Sequence, residues 1–250
     1  MIRGWYAVYY REALILRRRG PKTLATMCVS PLLYLLAFGW AFGAHGGGGP
    51  ETMTDSPYLR FLVPGLAAMS SMTQAWGIAG DINIARFYWR IFDEIQSAPV
   101  APGGYVLGEV LAGMTRGLAA SALAVLLGLA FGVRPWCGPA FWLALMLNSF
   151  FFASLAAGLA MRIKSHADQA MLTSFVITPM AFLGGTFFPV ERLPDWAQAL
   201  LLCLPLTHAS RAARAAATGS ALPLGSLWLL FIAGLAAFLF AVRCVANARD

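Results

Sequence analysis

Apolar and polar residues are segregated along this chain in blocks the length of a membrane-crossing helix. Apolar blocks cover residues 24–43, 61–80, 105–131, 139–161, 167–183 and 222–242, each close to the roughly 20 residues that traverse the hydrocarbon core of a bilayer. The pattern predicts six transmembrane α-helices. Pro31, Pro64 and Pro179 fall inside them, which a bundle tolerates where neighbouring helices satisfy the carbonyls that proline frees. One further apolar segment breaks the rhythm. Residues 182–214, FLGGTFFPVERLPDWAQALLLCLPLTHASRAAR, are too apolar for a surface loop, yet Pro189, Pro194 and Pro205 interrupt them and the apolar stretch 196–204 is too short to cross. Gly184 and Gly185 permit a tight reversal. The segment 184–218 therefore reads as a re-entrant helical element before the last span, and irregular backbone at membrane depth survives only where protein or a water-filled path satisfies it.

Ahead of the first span, Trp5, Val8, Tyr9, Ala13 and Leu16 recur at helical spacing, while Arg3, Arg11, Arg17 and Arg18 lie mainly off that stripe. Residues 1–22 thus suit an interfacial helix on the cytoplasmic face, with Gly20 and Pro21 turning the chain into the membrane. A plain basic flank that fixes topology explains the same residues.

Composition agrees with the pattern. Of 250 residues, 59% are hydrophobic and 12% charged, against about a quarter charged in soluble domains. No linker or internal repeat divides the chain, so residues 1–250 form a single all-α transmembrane domain in contact with membrane lipid. Six crossings put both termini on one side. Of the 18 Lys and Arg, twelve fall on that side, five on the other and Arg116 within the third span, which places both termini in the cytoplasm. Because the net charge of +7 is spread over membrane flanks, it implies no nucleic-acid partner.

Enzyme chemistry is not written in the chain. It has no GxSxG elbow for a nucleophilic serine. Cys28, Cys137, Cys203 and Cys244 lack CxxC spacing, and His45, His166 and His208 are divided between the two sides, so no metal set forms. Cys137 and Cys203 share the outer side, where a disulfide stays open. No GxxxxGK[ST] loop is present, since the only lysines, Lys22 and Lys164, follow Pro and Ile. ATP-driven work must then draw on another subunit. A secondary transporter or channel remains the alternative, and an intramembrane enzyme the weaker one; nothing resembles a proton relay.

The polar inventory within the spans is thin. Glu109 and Arg116 stand seven apart and share a helix face, either as an intramembrane ion pair or as residues near the cytoplasmic headgroups with Arg116 snorkelling. Gln74, Asn148, Thr173, Ser174 and Thr178 suit a path lining or interhelical hydrogen bonds. Between the second and third spans, the connection 82–104 carries Arg86, Arg90, Phe92, Asp93 and Glu94 before a Pro-Val-Ala-Pro-Gly stop, which ends a short helix near residue 97. Its aromatics beside acids suit a docking face, or a solvated loop with interfacial aromatics.

The order GGTFFP, Glu-Arg, LP, an aromatic and PLTH in residues 184–208 resembles the signature of the type-2 ABC exporter permeases, which move drugs, polysaccharides and lipids. The connection after the second span resembles their coupling helix, and the compact outer loops resemble the nodulation-factor and polysaccharide exporters. This resemblance implies a working unit of two permease subunits, here a homodimer, and two ATP-binding subunits. ATP and Mg are expected on those partners, with no cofactor in this chain. It also implies that Arg86, Arg90, Phe92, Asp93 and Glu94 dock in the ATPase, that Gly184, Gly185, Phe187, Phe188, Pro189 and Pro194 gate the outer exit, and that the cargo is amphipathic, lipid-linked, glycan or drug-like.

Overall fold

A computed structural model describes residues 4–43, 57–89, 91–92, 98, 100–163 and 165–248. Helices and turns account for these residues, with no strand among them. In chain order they are α1 (Gly4–Gly43), α2 (Pro57–Trp76), α3 (Ile78–Phe87), α4 (Pro102–Ala130), α5 (Pro139–Arg162), α6 (His166–Leu172), a π turn (Thr173–Ile177), α7 (Thr178–Leu183), a 3-10 turn (Val190–Arg192), α8 (Asp195–Leu202), α9 (Pro205–Thr218) and α10 (Leu224–Asn247).

Four helices, α1, α4, α5 and α10, are long and apolar enough to cross a membrane, and they coincide with the expected first, third, fourth and sixth spans. The expected second span differs. It becomes α2, which carries Tyr58, Arg60, Ser70, Ser71, Thr73 and Gln74 and is buried along most of its length, so its surroundings are protein and its side chains need not match lipid. It stops at Trp76, and after Gly77 the chain restarts as α3. The expected fifth span is divided by the π turn. Pro179 has no N–H for the next helical rung, and the Thr178 N–H reaches back five residues to the Thr173 carbonyl.

At the other extreme, α1 runs for 40 residues straight through Gly20 and Pro21, where the sequence predicts a turn. Proline removes one backbone hydrogen bond, but Pro21 is exposed and no neighbouring element lies against Gly20. Without packing to bend it, the helix continues.

The core is organised around α2, which runs antiparallel to α4. A Cβ at Gly113 would press on Ala153 and the Ala75 carbonyl, one at Gly117 on Ser149 and the Ser71 carbonyl, and one at Gly128 on Val63; small residues at these levels let the helices approach closely. Between Gly117 and Gly128, the Ser121 hydroxyl donates to the Ala67 carbonyl at 2.9 Å. On the other flank of α2, Asn148 of α5 donates to the Ala68 carbonyl at 3.0 Å and to Ser71 Oγ at 2.6 Å. The outward face of α5 receives α10, with Phe240 over Gly158 and Phe150 over Gly234.

Candidate functional site

A groove of about 250 Å³ opens between α1, α2 and the π turn with α7. Its walls carry Thr26, Ser30, Ser70, Thr73, Gln74, Thr173 and Thr178, with Met27, Met69, Trp76, Tyr34 and Phe182 and, among the described residues, no charged side chain. Trp76 Nε1 donates to Thr173 Oγ1 at 2.9 Å, tying α2 to the π turn. Several hydroxyls bond back along their own helices: Thr26 to the Thr23 carbonyl, Thr73 to Ser70, Thr173 to Gln169 and Thr178 to Thr173. Those groups offer the groove their oxygen lone pairs. Of the five path-lining candidates, Gln74, Thr173 and Thr178 meet here. Asn148 instead lies buried between α5 and α2 as an interhelical hydrogen bond, and Ser174 points to the exposed side of its turn.

The chain reverses after α7, next to the groove wall formed by Ala181 and Phe182. Gly184 N–H bonds the Met180 carbonyl and Gly185 N–H the Leu183 carbonyl. Gly185 then adopts φ +72°, a left-handed conformation that a Cβ disfavours. The turn aims Phe187 inward, 8% exposed, where its ring centroid lies 5.1 Å from Tyr34, 4.8 Å from Phe38 and 5.4 Å from Phe182. Tyr34 and Phe182 also line the groove, so Phe187 packs against two of its wall residues. Phe188 packs partly buried against the core. Pro189 precedes the 3-10 turn and Pro194 precedes α8, where the Pro194 carbonyl receives the Ala197 and Gln198 N–H groups. All six sequence-predicted reversal residues thus fall within one hairpin.

The hairpin is fixed from behind by α9. Leu206 abuts Gly184, Ser210 Oγ donates to the Gly184 carbonyl at 2.8 Å, and Arg214 donates to the carbonyls of Gly185, Thr186 and, through Nε at 3.1 Å, Phe61. The Arg214 guanidinium also lies 3.7 Å from the Phe61 ring centroid. Tyr58 OH adds a bond to the Phe187 carbonyl at 3.1 Å. His208 joins the neighbourhood through Ser226 at 3.0 Å and the Leu202 carbonyl at 2.8 Å. Cys137 and Cys203 are free thiols and do not pair.

The opposite end is ionic. Glu109, fully buried on α4, pairs with Arg11 of α1 at 2.9 Å, and Arg11 also binds Glu12 at 2.7 Å. Arg116 pairs with Asp81 of α3. Glu109 and Arg116 therefore share a helix but serve different neighbours, and Arg11, placed off the inward stripe by spacing, is turned inward by Glu109. Asn83 of α3 and Gln169 of α6 pair through their carboxamides.

The coupling candidates divide. Arg86 donates to the Ala160 carbonyl and lies over the rings of Phe87 and Phe92. Phe92 is 6% exposed, edge-on to Tyr105 at 5.6 Å; apolar packing on α4 draws it inside, so it offers no outward surface. Exposed Phe87, Tyr88 and Trp89 hold the outward position. Arg90, Asp93 and Glu94 lie outside the described residues. Sequence reasoning passed over Arg214, Ser210 and Leu206. Their spacing of four along PLTHASRAAR, which puts them on one helix face, was the available signal.

Four helices of membrane-crossing length, a polar groove among the helices and a chain reversal at its end give the chain the build of a membrane permease. The profile of the family described as ABC-2 type transporter matches residues 3–217, and the chain belongs to that family. Among relatives, the chain is 29% identical over 205 residues to the inner membrane transport permease YadH of Escherichia coli (strain K12), covering 81% of this chain and 78% of the relative. It is 29% identical over 221 residues to nodulation protein J of Rhizobium meliloti (strain 1021), covering 88% and 83%. To the daunorubicin resistance ABC transporter permease protein DrrB1 of Streptomyces coeruleorubidus it is 27% identical over 217 residues, covering 84% and 74%. The chain is a multi-pass membrane subunit of an ABC exporter, a non-catalytic class that works with an ABC ATP-binding subunit.

Proposed function

We propose that residues 1–250 act as a single permease domain and that two copies pair with two ATP-binding subunits, which hold ATP and Mg, to export an amphipathic cargo through the uncharged groove. Six crossings carry the path: the later part of α1, then α2, α4, α5, the 166–183 rod and α10. Both termini face the cytoplasm of an inner membrane, on the strength of the twelve-to-five distribution of basic residues. The ionic end is then cytoplasmic, and the segment 184–218, made of the hairpin 184–194 with α8 and α9, re-enters from outside.

On this reading Phe87, Tyr88 and Trp89, with Arg90, Asp93 and Glu94, meet the ATP-binding subunit. Arg86 and Phe92 work from within: Phe92 packs on Tyr105, one helical turn before Glu109, so a push on the connection reaches α4. At the far end, Gly184, Gly185, Phe187, Phe188, Pro189 and Pro194 form the exit gate. The observation that carries the proposal is the continuity between groove and Phe187, since Tyr34 and Phe182 line one and pack against the other. A groove of hydroxyls, one carboxamide and aromatic faces, free of charged side chains among the described residues, suits the uncharged part of a glycan, lipid-linked or drug-like molecule, because aromatic faces stack on apolar surfaces and hydroxyl oxygens accept hydrogen bonds. Similarity to a daunorubicin resistance permease supports the drug-like end of that range.

The test places a single cysteine at Gln74 or Thr178 in a chain whose four native cysteines are replaced, co-purified with its ATP-binding subunit and reconstituted in liposomes. Labelling by a water-soluble maleimide should change several-fold when the ATPases are trapped with ATP and vanadate. Equal labelling in both states at both positions contradicts the path assignment.

A further inference from the structure

We infer that Arg214 is the latch that holds the outer hairpin against α2, a positioning residue for exit; the inference rests on the reading of the hairpin as the gate. A guanidinium presents five N–H donors in a rigid fork. Here that fork joins two separate elements: Nε donates to the Phe61 carbonyl on α2, and Nη2 donates to the carbonyls of Gly185 and Thr186 in the hairpin. The same group lies over the Phe61 ring, 3.7 Å from its centroid, a cation–π contact. Among the described residues no carboxylate lies within ion-pair distance of it. Glu191, the acid on the hairpin, pairs at 3.7 Å with Arg211 instead.

Backbone carbonyls accept this charge only while the hairpin keeps its turn. Gly65 makes the contact possible, because a Cβ there would meet Arg214 Nη2 at 2.7 Å and the Thr186 carbonyl oxygen at 2.8 Å. One rung along α9, Ser210 holds the Gly184 carbonyl, so Ser210 and Arg214 grip consecutive carbonyls of one turn from one helix face. Tyr58 OH adds a further polar tie between α2 and the hairpin through its bond to the Phe187 carbonyl. Moving the hairpin backbone that carries Phe187 away from α2 requires the Arg214 bonds to part from Gly185 and Thr186, from Phe61, or from both. Lysine cannot substitute: a point charge with no planar fork cannot reach carbonyls on both elements and stack on the ring.

The experiment uses the cysteine-free permease with its ATP-binding subunit in liposomes, with Thr186→Cys as reporter. Thr186 is fully buried, and its side chain takes no part in the latch. Three readings are taken on assembled complexes: labelling by a membrane-impermeant maleimide, release of trapped carboxyfluorescein, and basal ATP turnover. Arg214→Gln should raise labelling and dye release several-fold and lift ATP turnover, with Arg214→Lys between it and wild type. Arg214→Gln with wild-type labelling and dye release overturns the latch. Should Arg214→Gln not assemble, Gly65→Ala keeps the arginine but wedges it from Thr186, and must show the same rise; wild-type labelling there, or failure of both to assemble, rejects the latch in favour of a folding staple. Phe187→Ala separates this from the gate reading. Leakage in Phe187→Ala without leakage in Arg214→Gln keeps the gate and removes the latch, and silence in both removes the two together.

Discussion

At one end of the bundle Arg11 and Arg116 meet carboxylates, Glu12 and Glu109 for the first and Asp81 for the second; at the other, Arg214 meets main-chain carbonyls and a phenyl ring. The two arrangements satisfy the same group by different rules. A charge paired with a side chain can be removed together with its partner, because both sides of the interaction are encoded. A charge satisfied by backbone has no encoded partner, and its satisfaction depends on the shape of the turn. The ionic end is thus tolerant of paired change, while the reversal end couples a side chain to one backbone conformation, which is what a gate needs if its open and closed forms are to differ discretely.

The sharpest way to break this contrast is at Arg11. Arg11→Leu strands Glu12 and Glu109, both buried, and breaking a buried pair from one side costs about 3–5 kcal/mol. Thermal unfolding in detergent should show a large loss, and adding Glu12→Gln with Glu109→Gln should restore most of it. Absence of rescue would mean that the ionic end is no more forgiving than the other.

Glycines with the same backbone sense allow a smaller, cleaner comparison. Gly185 (φ +72°) and Gly219 (φ +69°) both require the left-handed region, but a Cβ at Gly185 meets Val190 at 2.9 Å while one at Gly219 meets nothing within 4 Å. Gly219→Ala should cost only the conformational strain, about 1–2 kcal/mol, and leave dye retention unchanged. Gly185→Ala should cost more and leak. Equal stability and equal leakage would remove the packing argument for the turn. Smallest of all is Asp81→Asn: Asp81 is 42% exposed, so the pair with Arg116 should contribute no more than about 1 kcal/mol, read as a slight shift in the same unfolding curve.

How much of this was legible in sequence depends on whether a residue's partner is itself written there. Long apolar blocks located α1, α4, α5 and α10, since lipid reads composition directly. Gly184, Gly185 and Pro189 announced the reversal because glycine and proline act on the backbone at their own position. Arg214 did not announce itself, as main-chain carbonyls have no letter in the sequence. Phe92 reads in sequence as part of a docking face, because nothing in the letters reveals the packing on Tyr105 that draws it inside. Likewise Asn148 and Gln74 look alike as isolated polar residues in apolar helices, yet one bonds across α2 and the other lines the groove. At Gly20 and Pro21 the local signal for a break was real, but no neighbouring element reinforced it.

The central claim, that Phe187 closes the outer end of the groove, is tested most directly by one labelling experiment in intact cells. Gln74→Cys in the cysteine-free chain should react slowly with an impermeant maleimide added from outside, and adding Phe187→Ala should accelerate that reaction several-fold by removing the ring that packs on Tyr34, Phe38 and Phe182. Unchanged labelling of position 74, at equal abundance of the two proteins in the membrane, would contradict the account.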